Sequence, residues 1–344
     1  RETISKLLDA LSAGQKMTQL VTTDPDWVYL FQHAMTHEVA YESLPYARRR
    51  ELQAAVANWL LVTHSDTLTA FNPVLAYHYT RADNAEMGLR FALAGANDAS
   101  HIFANQEASD LFTLAETHLA TIGMEAHWET AVSLYLRRGE ALRLVGDFGS
   151  AFADAKTAQL IATEHEDSLS LLQSLNLKAE IRYRQANISD AFTIAKEAIA
   201  LAQASQNKPE LALAYQWAGM ASINMGHPEQ ALQFLANARQ ICEETDNQTR
   251  LARILEALAF VYYAQKNLPA ALAAMQRSVA LSRNFSRNAS IASSLNNIAL
   301  VQHQLGMGPE ALATIDEAVE MVREVSKNFL ARFLGNKAEI LTYV

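Results

Sequence analysis

His33 and His37 stand one helical turn apart with Glu38 beside them, a spacing at which two imidazoles on one helix face could seat a metal ion. Such a site needs a third protein ligand, and none accompanies the pair, so packing is the simpler account of both histidines. Arg48-Arg49-Arg50 could clamp a phosphate. Residues 1–62 carry six basic side chains against seven acidic ones, so the cluster is local. A solvated or interdomain helix face explains it better than DNA binding, which draws its affinity from neutralising many phosphates. The chain has no Gly-x-x-x-x-Gly-Lys-Ser/Thr, no nucleophile elbow, no Cys-x-x-Cys and no His-Glu-x-x-His. No candidate site meets the minimum of nucleophile, base and orienting group, so the expectation is a protein that is not an enzyme and needs no metal or cofactor. Cys242, the single cysteine, follows Ile241 among helix formers and reads as a buried thiol of a reducing, cytoplasmic compartment.

The elements that would position any site must be helices. Half of the 344 residues are apolar, glycine (12) and proline (7) are few, and long loops have little room. A formal charge of −9 is the wrong sign for a nucleic-acid partner. No apolar run approaches the ~20 residues needed to span a bilayer, which argues against a membrane partner. The Asn-x-Ser/Thr triplets at Asn187, Asn247, Asn284 and Asn288 are then chance matches. The chain opens at Arg1 without methionine, as expected for an excerpt of a longer protein.

One spacing dominates. Ala151, Ala191, Ala231, Ala271 and Ala311 fall on a 40-residue grid; seven later come Ala158, Ala198, Ala238, Ser278 and Ala318; twelve earlier come Gly139, Ala179, Gly219, Ala259 and Ala299. Two antiparallel helices approach closely only where side chains are nearly absent, so each unit reads as helix, tight turn, helix. In the third unit the first helix covers about 209–225, Gly226 and His227 turn, and Pro228 opens the second helix, where its missing N–H costs nothing. Pro269 and Pro309 repeat that role, and Gly146 and Gly306 occupy equivalent turns.

With the aromatic or aliphatic residue four before the first-helix grid (Tyr135, Leu175, Tyr215, Leu255, Leu295), this pattern resembles the tetratricopeptide repeat, lengthened by six residues from the usual ~34. The resemblance implies an all-α, right-handed superhelix of five 40-residue repeats over 129–325 and a partial repeat or cap over 326–344. Upstream, residues 63–128 hold linker helices and a degenerate first repeat (about 86–100 and 103–119), in which Ala108 precedes Ala151 by 43 rather than 40. The resemblance also implies a concave groove lined by the first helices three residues before the grid and four after it. Those positions hold Leu136, Asn176, Gln216, Glu256 and Asn296, and Arg143, Tyr183, Ile223, Tyr263 and His303. Arg143, Asn176, Tyr183, Gln216, Glu256, Tyr263, Asn296 and His303 are thus the candidate partner-binding set; the plainer alternative is a solvated helix face. Trp217 reads as packing.

Residues 1–62 differ in texture. A short helix (4–11), β-prone stretches near 20–22 and 27–31, and helices over 33–41 and 47–61 outline a small winged-helix-like segment. Phe31, His33, the run Ala40-Tyr41-Glu42-Ser43-Leu44, the three arginines and Leu52, with His78, Ala94, Gly95 and Ala99 in the following helices, resemble the segment that closes the NTPase core of bacterial STAND-type signalling ATPases. Members of that group fuse the ATPase and a repeat tail to a cyclase, kinase or LuxR-type domain. The resemblance implies a regulatory module that binds a protein, a peptide or its own ATPase core, with a small-molecule effector enclosed by the superhelix as the alternative. The chain alone is expected neither to bind nor to hydrolyse ATP or GTP, since it lacks amides and a lysine arranged for phosphates. Calorimetry giving a micromolar affinity that one point substitution abolishes would refute this.

Overall fold

Gly146, Glu166, Ala186, Gln206, Gly226, Asp246, Lys266 and Gly306, all spaced by multiples of twenty residues, leave their helices with φ between +50° and +99°. At each one the following N–H bonds a carbonyl five residues back, as in Asp147 to Leu142 (3.0 Å), Asp167 to Ala162 (2.8 Å) and Asn247 to Cys242 (2.9 Å). This is the Schellman ending, which satisfies carbonyls that the helix leaves open. The residue that makes this bond then starts the next helix. Asp147 accepts from the Ser150 N–H, Asn207 from Glu210 and Asn247 from Arg250 (each 3.1 Å). Two adjacent residues therefore stop one helix and open the next. The triplets at Asn187 and Asn247 mark such joints.

The computed structural model describes residues 18–22, 28–31, 38–39, 41–283, 288–323 and 327–342, in two units divided between His127 and Trp128. In the first unit strands β1 (Thr18–Thr22) and β2 (Val28–Phe31) pair antiparallel, Thr18 opposite Phe31, with a register shift between Leu20 and Thr22. Both β-prone stretches are therefore strands. The helices expected over 4–11 and most of 33–41, and with them His33 and His37, lie outside the described residues. Helix α1 (Tyr46–Thr63) and a 3₁₀ segment lead to α2 (Asn72–Arg81), α3 (Ala85–His101) and α4 (Asn105–Ile122). Arg50 ties α1 to the α2–α3 turn through Ala82 O (3.3 Å) and Asp83 (3.3 Å), while Arg48 pairs with Glu51. Gly88 on α3 leaves room for the buried His118 of α4, whose Nε2 lies 2.8 Å from Thr80 Oγ1; a Cβ there would stand 2.5 Å from the ring. Burial holds His118 below its ordinary pKa.

The twenty-residue beat is present here as well: Asp83, Phe103 and Gly123 have positive φ. The next such residue, Gly146, comes three later than the beat requires, and the 3₁₀ turn Glu125–His127 lies in that interval. That is the physical origin of the 43-residue spacing from Ala108 to Ala151.

The second unit is α5 (Trp128–Val145), α6 (Phe148–Glu164), α7 (Ser168–Arg184), α8 (Ile188–Ala204), α9 (Lys208–Asn224), α10 (Pro228–Glu244), α11 (Gln248–Ala264), α12 (Leu268–Ser282), α13 (Asn288–Gln304), α14 (Gly308–Val322) and α15 (Lys327–Leu341). Odd-numbered helices are the first of each pair. All fifteen grid positions are buried. At Gly219 a Cβ would meet Leu235 Cγ at 2.7 Å, so α9 and α10 touch backbone to side chain. Cys242 is buried, and burial pushes its thiol pKa up. Among the described residues no helix is long and apolar enough to cross a membrane, and no cluster of three or more His, Cys, Asp or Glu could hold a metal.

Ala231→Leu or Ala271→Leu is expected to cost about 1–3 kcal/mol by overpacking the closest helix contacts. Gln206→Gly, at an exposed joint with φ of +55°, is expected to be neutral or to stabilise by up to about 1 kcal/mol, because glycine carries no left-handed penalty. Urea unfolding of the variants checks both, and equal losses at the two kinds of site would contradict the register.

Candidate functional site

Successive first helices pack on one another (α5 on α7, α7 on α9, α9 on α11, α13 on α15), whereas successive second helices touch little if at all. The row of first helices is therefore the tighter, inner side of the second unit. Electrostatics agree: the charge of Arg253 on α11 acts on Arg143 of α5, three first helices away, and that of Glu210 on α9 acts on Glu140 of α5.

The eight candidate residues divide between this inner surface and the seams beneath it. Asn176, Gln216 and Asn296 are 1%, 5% and 3% exposed. Asn176 Nδ2 donates to the backbone oxygen (3.1 Å) and carboxylate (2.7 Å) of Glu210 on α9, and Asn296 Oδ1 accepts from Asn336 on α15 (2.8 Å). These two amides pin one first helix to the next. Asn176 Oδ1, Gln216 Oε1 and Trp217 Nε1 are buried without partners, so polar capacity lies unused beneath the inner face. Tyr183 and Tyr263 are equivalent in another way, since their hydroxyls accept from Asn224 (2.9 Å) and Gln304 (3.0 Å), each forty-one residues on. Tyr183 also packs its ring 5.7 Å from that of Trp217. Glu256 is exposed and accepts from Ser294 Oγ (3.1 Å); His303 is half-buried.

Arg143 Nη1 lies 2.9 Å from Glu180 Oε1, the oxygen that also takes Arg184 Nη2 at 2.8 Å. Burial lowers the pKa of Arg143 and of Arg250 and raises that of Glu140, whose carboxyl is further influenced by Arg143 and Glu180. Glu140 is open to solvent yet surrounded by protein, as befits the lining of a concavity.

A column that the sequence reading passed over follows the grid by one residue: Glu140, Glu180, Met220, Phe260 and Leu300. Read along the array it turns from acidic to apolar. The same 40-residue arithmetic would have found it, although no shared residue type marks it. Towards its apolar end the first helices draw apart, slightly at α9 and α11 and further at α11 and α13. A cavity of about 360 Å³ opens between them. Glu256, Phe260 and Tyr263 form one wall, Ser294, Asn297, Leu300 and Val301 the other, and Met275 and Ser278 of α12 the floor. The Ser294–Glu256 and Gln304–Tyr263 hydrogen bonds clasp its two ends. Phe260 is 57% exposed on its rim.

Residues 210–284 match the family model described as tetratricopeptide repeat, and residues 162–221 and 265–334 match that of anaphase-promoting complex subunit 5. The fold is a helical repeat array of the tetratricopeptide type. No curated protein matches it significantly in sequence. Among solved structures, a Rap protein complexed with competence and sporulation factor superposes with a TM-score of 0.54 at 16% identity, over 90% of this chain and 99% of that one. The Rap conjugation gene regulator of plasmid pLS20 with the Phr* peptide gives 0.55 at 14% identity, over 77% and 76%. The APC/C hetero-tetramer Cut9–Hcn1 gives 0.57 at 16%, over 88% of this chain and 50% of its own. At such identities the likeness is one of fold.

Within this tetratricopeptide-type array, Glu180→Ala leaves two guanidiniums without their shared partner. It is expected to cost about 1–3 kcal/mol, the penalty of stranding a partly buried polar group. Glu244→Ala, which removes an exposed pair with Lys208, is expected to leave the unfolding midpoint unchanged. Chemical denaturation of both variants decides the point.

Proposed function

We propose that the chain is a non-catalytic module that binds a protein or peptide along the inner face of its first helices and regulates a larger signal-transduction NTPase. The observation that carries this is the inner surface itself. Five consecutive first helices present side chains at the same register, and that surface varies from charged to apolar while the grid beneath it stays small and buried. A scaffold that conserves its spacing and varies its lining is built for recognition. Solved structures of similar fold support the reading, since one Rap protein is complexed with competence and sporulation factor, another with the Phr* peptide, and Cut9 with Hcn1. The NTPase context rests on the resemblance of residues 29–60 to the end of a STAND core. In that setting residues 1–62 act as a hinge, and the parent's own ATPase core is the alternative partner. A ligand shifts such a protein between states only through differential affinity for them.

The cavity between α11 and α13 favours a second reading, a small effector held inside the array, because its volume lies within the range of small-molecule sites. Titration with peptides and a thermal-shift screen of metabolites separate the two. On the first reading, Tyr183→Ala with Tyr263→Ala weakens the partner by at least ~2 kcal/mol if either ring is an interface hot spot. Lys196→Ala with Arg277→Ala, on second helices, leaves affinity unchanged. A partner responding only to the control pair would end the proposal.

A further inference from the structure

The charges of the inner face are unevenly paired. Four guanidiniums, Arg143, Arg184, Arg250 and Arg253, share it with four carboxylates, Glu140, Glu180, Glu210 and Glu256. Arg143 and Arg184 are spent on Glu180, and Glu210 is engaged by Asn176. Among the described residues, no carboxylate lies within ion-pair distance of Arg250 or Arg253. The Arg250 Nε is buried without an acceptor, and burial already weighs against its charge. Glu210 and Glu180 favour the Arg250 charge only from beyond contact distance, so part of the burial cost remains, and an arriving anion offsets it.

Both free arginines sit on α11, the helix that supplies Phe260 and Tyr263 to the cavity. At 1.5 Å per residue, Arg253 lies about 10 Å along α11 from Phe260. An extended peptide advances ~3.3 Å per residue, so about three residues cover that distance. Between the two stands Glu256, held by Ser294. Its charge excludes an acidic group from the cavity mouth and forces one to sit further along, at Arg253.

We infer that the occupant of this groove is an extended acidic peptide segment. Its large apolar side chain fills the cavity between α11 and α13, and an Asp or Glu about three residues away pairs with Arg253 and Arg250. The inference rests on the peptide-binding reading above and adds the chemistry of the peptide.

The test is selection of the whole 344-residue chain against a displayed library of random peptides, followed by fluorescence anisotropy of the selected sequences with blocked termini. Expected are sequences with a bulky apolar residue about three positions from Asp or Glu, and an affinity that falls as salt rises. Arg253→Glu should lower affinity at least tenfold, with partial recovery when the peptide's acid is exchanged for lysine. Phe260→Ala should lower it at least tenfold for either peptide. Both side chains are exposed, so circular dichroism should show native helix content in each variant. Selected peptides that lack an acidic residue, or that bind Arg253→Glu as well as the native chain, overturn the anionic inference and leave the peptide groove standing. If no peptide is selected, or those selected ignore Phe260→Ala, the groove reading falls and the inference falls with it.

Discussion

The architecture depends on a two-residue joint in which a left-handed residue closes one helix and an Asx or similar cap opens the next. Because the joint recurs at a fixed beat, every helix of the central array has about the same length and meets its neighbour at the same phase. The small-residue grids are a consequence. Only a helix that always starts and stops at the same point can present Ala151, Ala191, Ala231, Ala271 and Ala311 to the same neighbour each time. The joint is costly where it is filled by Glu166, Ala186, Gln206, Asp246 or Lys266, at roughly 1–2 kcal/mol for a left-handed L-residue. The recovered carbonyl bonds, with a side-chain cap on the next helix after each of these except Ala186, offset that cost.

With the joints and grids fixed, variation is confined to the columns facing away from the helix pairs. The inner surface shows this most clearly. Where Glu140, Arg143, Glu180 and Arg184 meet, the lining is an ion network. Farther along, Met220, Phe260 and Leu300 replace the acids and a cavity opens. Charge and cavity are therefore two states of one column rather than separate sites.

The repeats were legible in the sequence because steric exclusion leaves a compositional mark: only Gly, Ala or Ser fits the closest contacts. The joints between them were legible at Gly146, Gly226 and Gly306 and, through Pro269, at Lys266, whereas Ala186 or Gln206 in the same conformation carries no signal of its own. Polarity was a poor guide to the lining. It selected Asn176 and Asn296, which turn into the seams to hold the next helix, and missed Phe260 and Leu300, whose apolar character resembles that of any core residue. Polar side chains serve inter-helix seams as readily as solvent, and only the contact between successive first helices tells the two apart. The strands at Thr18–Thr22 and Val28–Phe31 were legible from β-propensity alone.

The two clasps that join α11 to α13 have a consequence of their own. Ser294 reaches back to Glu256 and Gln304 to Tyr263 across the ends of the cavity, while beneath them Leu272 and Val279 of α12 share one apolar core with Ile291, Ala292 and Leu295 of α13. The roof of the cavity is therefore made of exchangeable polar contacts and its base of permanent apolar ones. A molecule entering it trades hydrogen bonds without disturbing the seam that holds the array together.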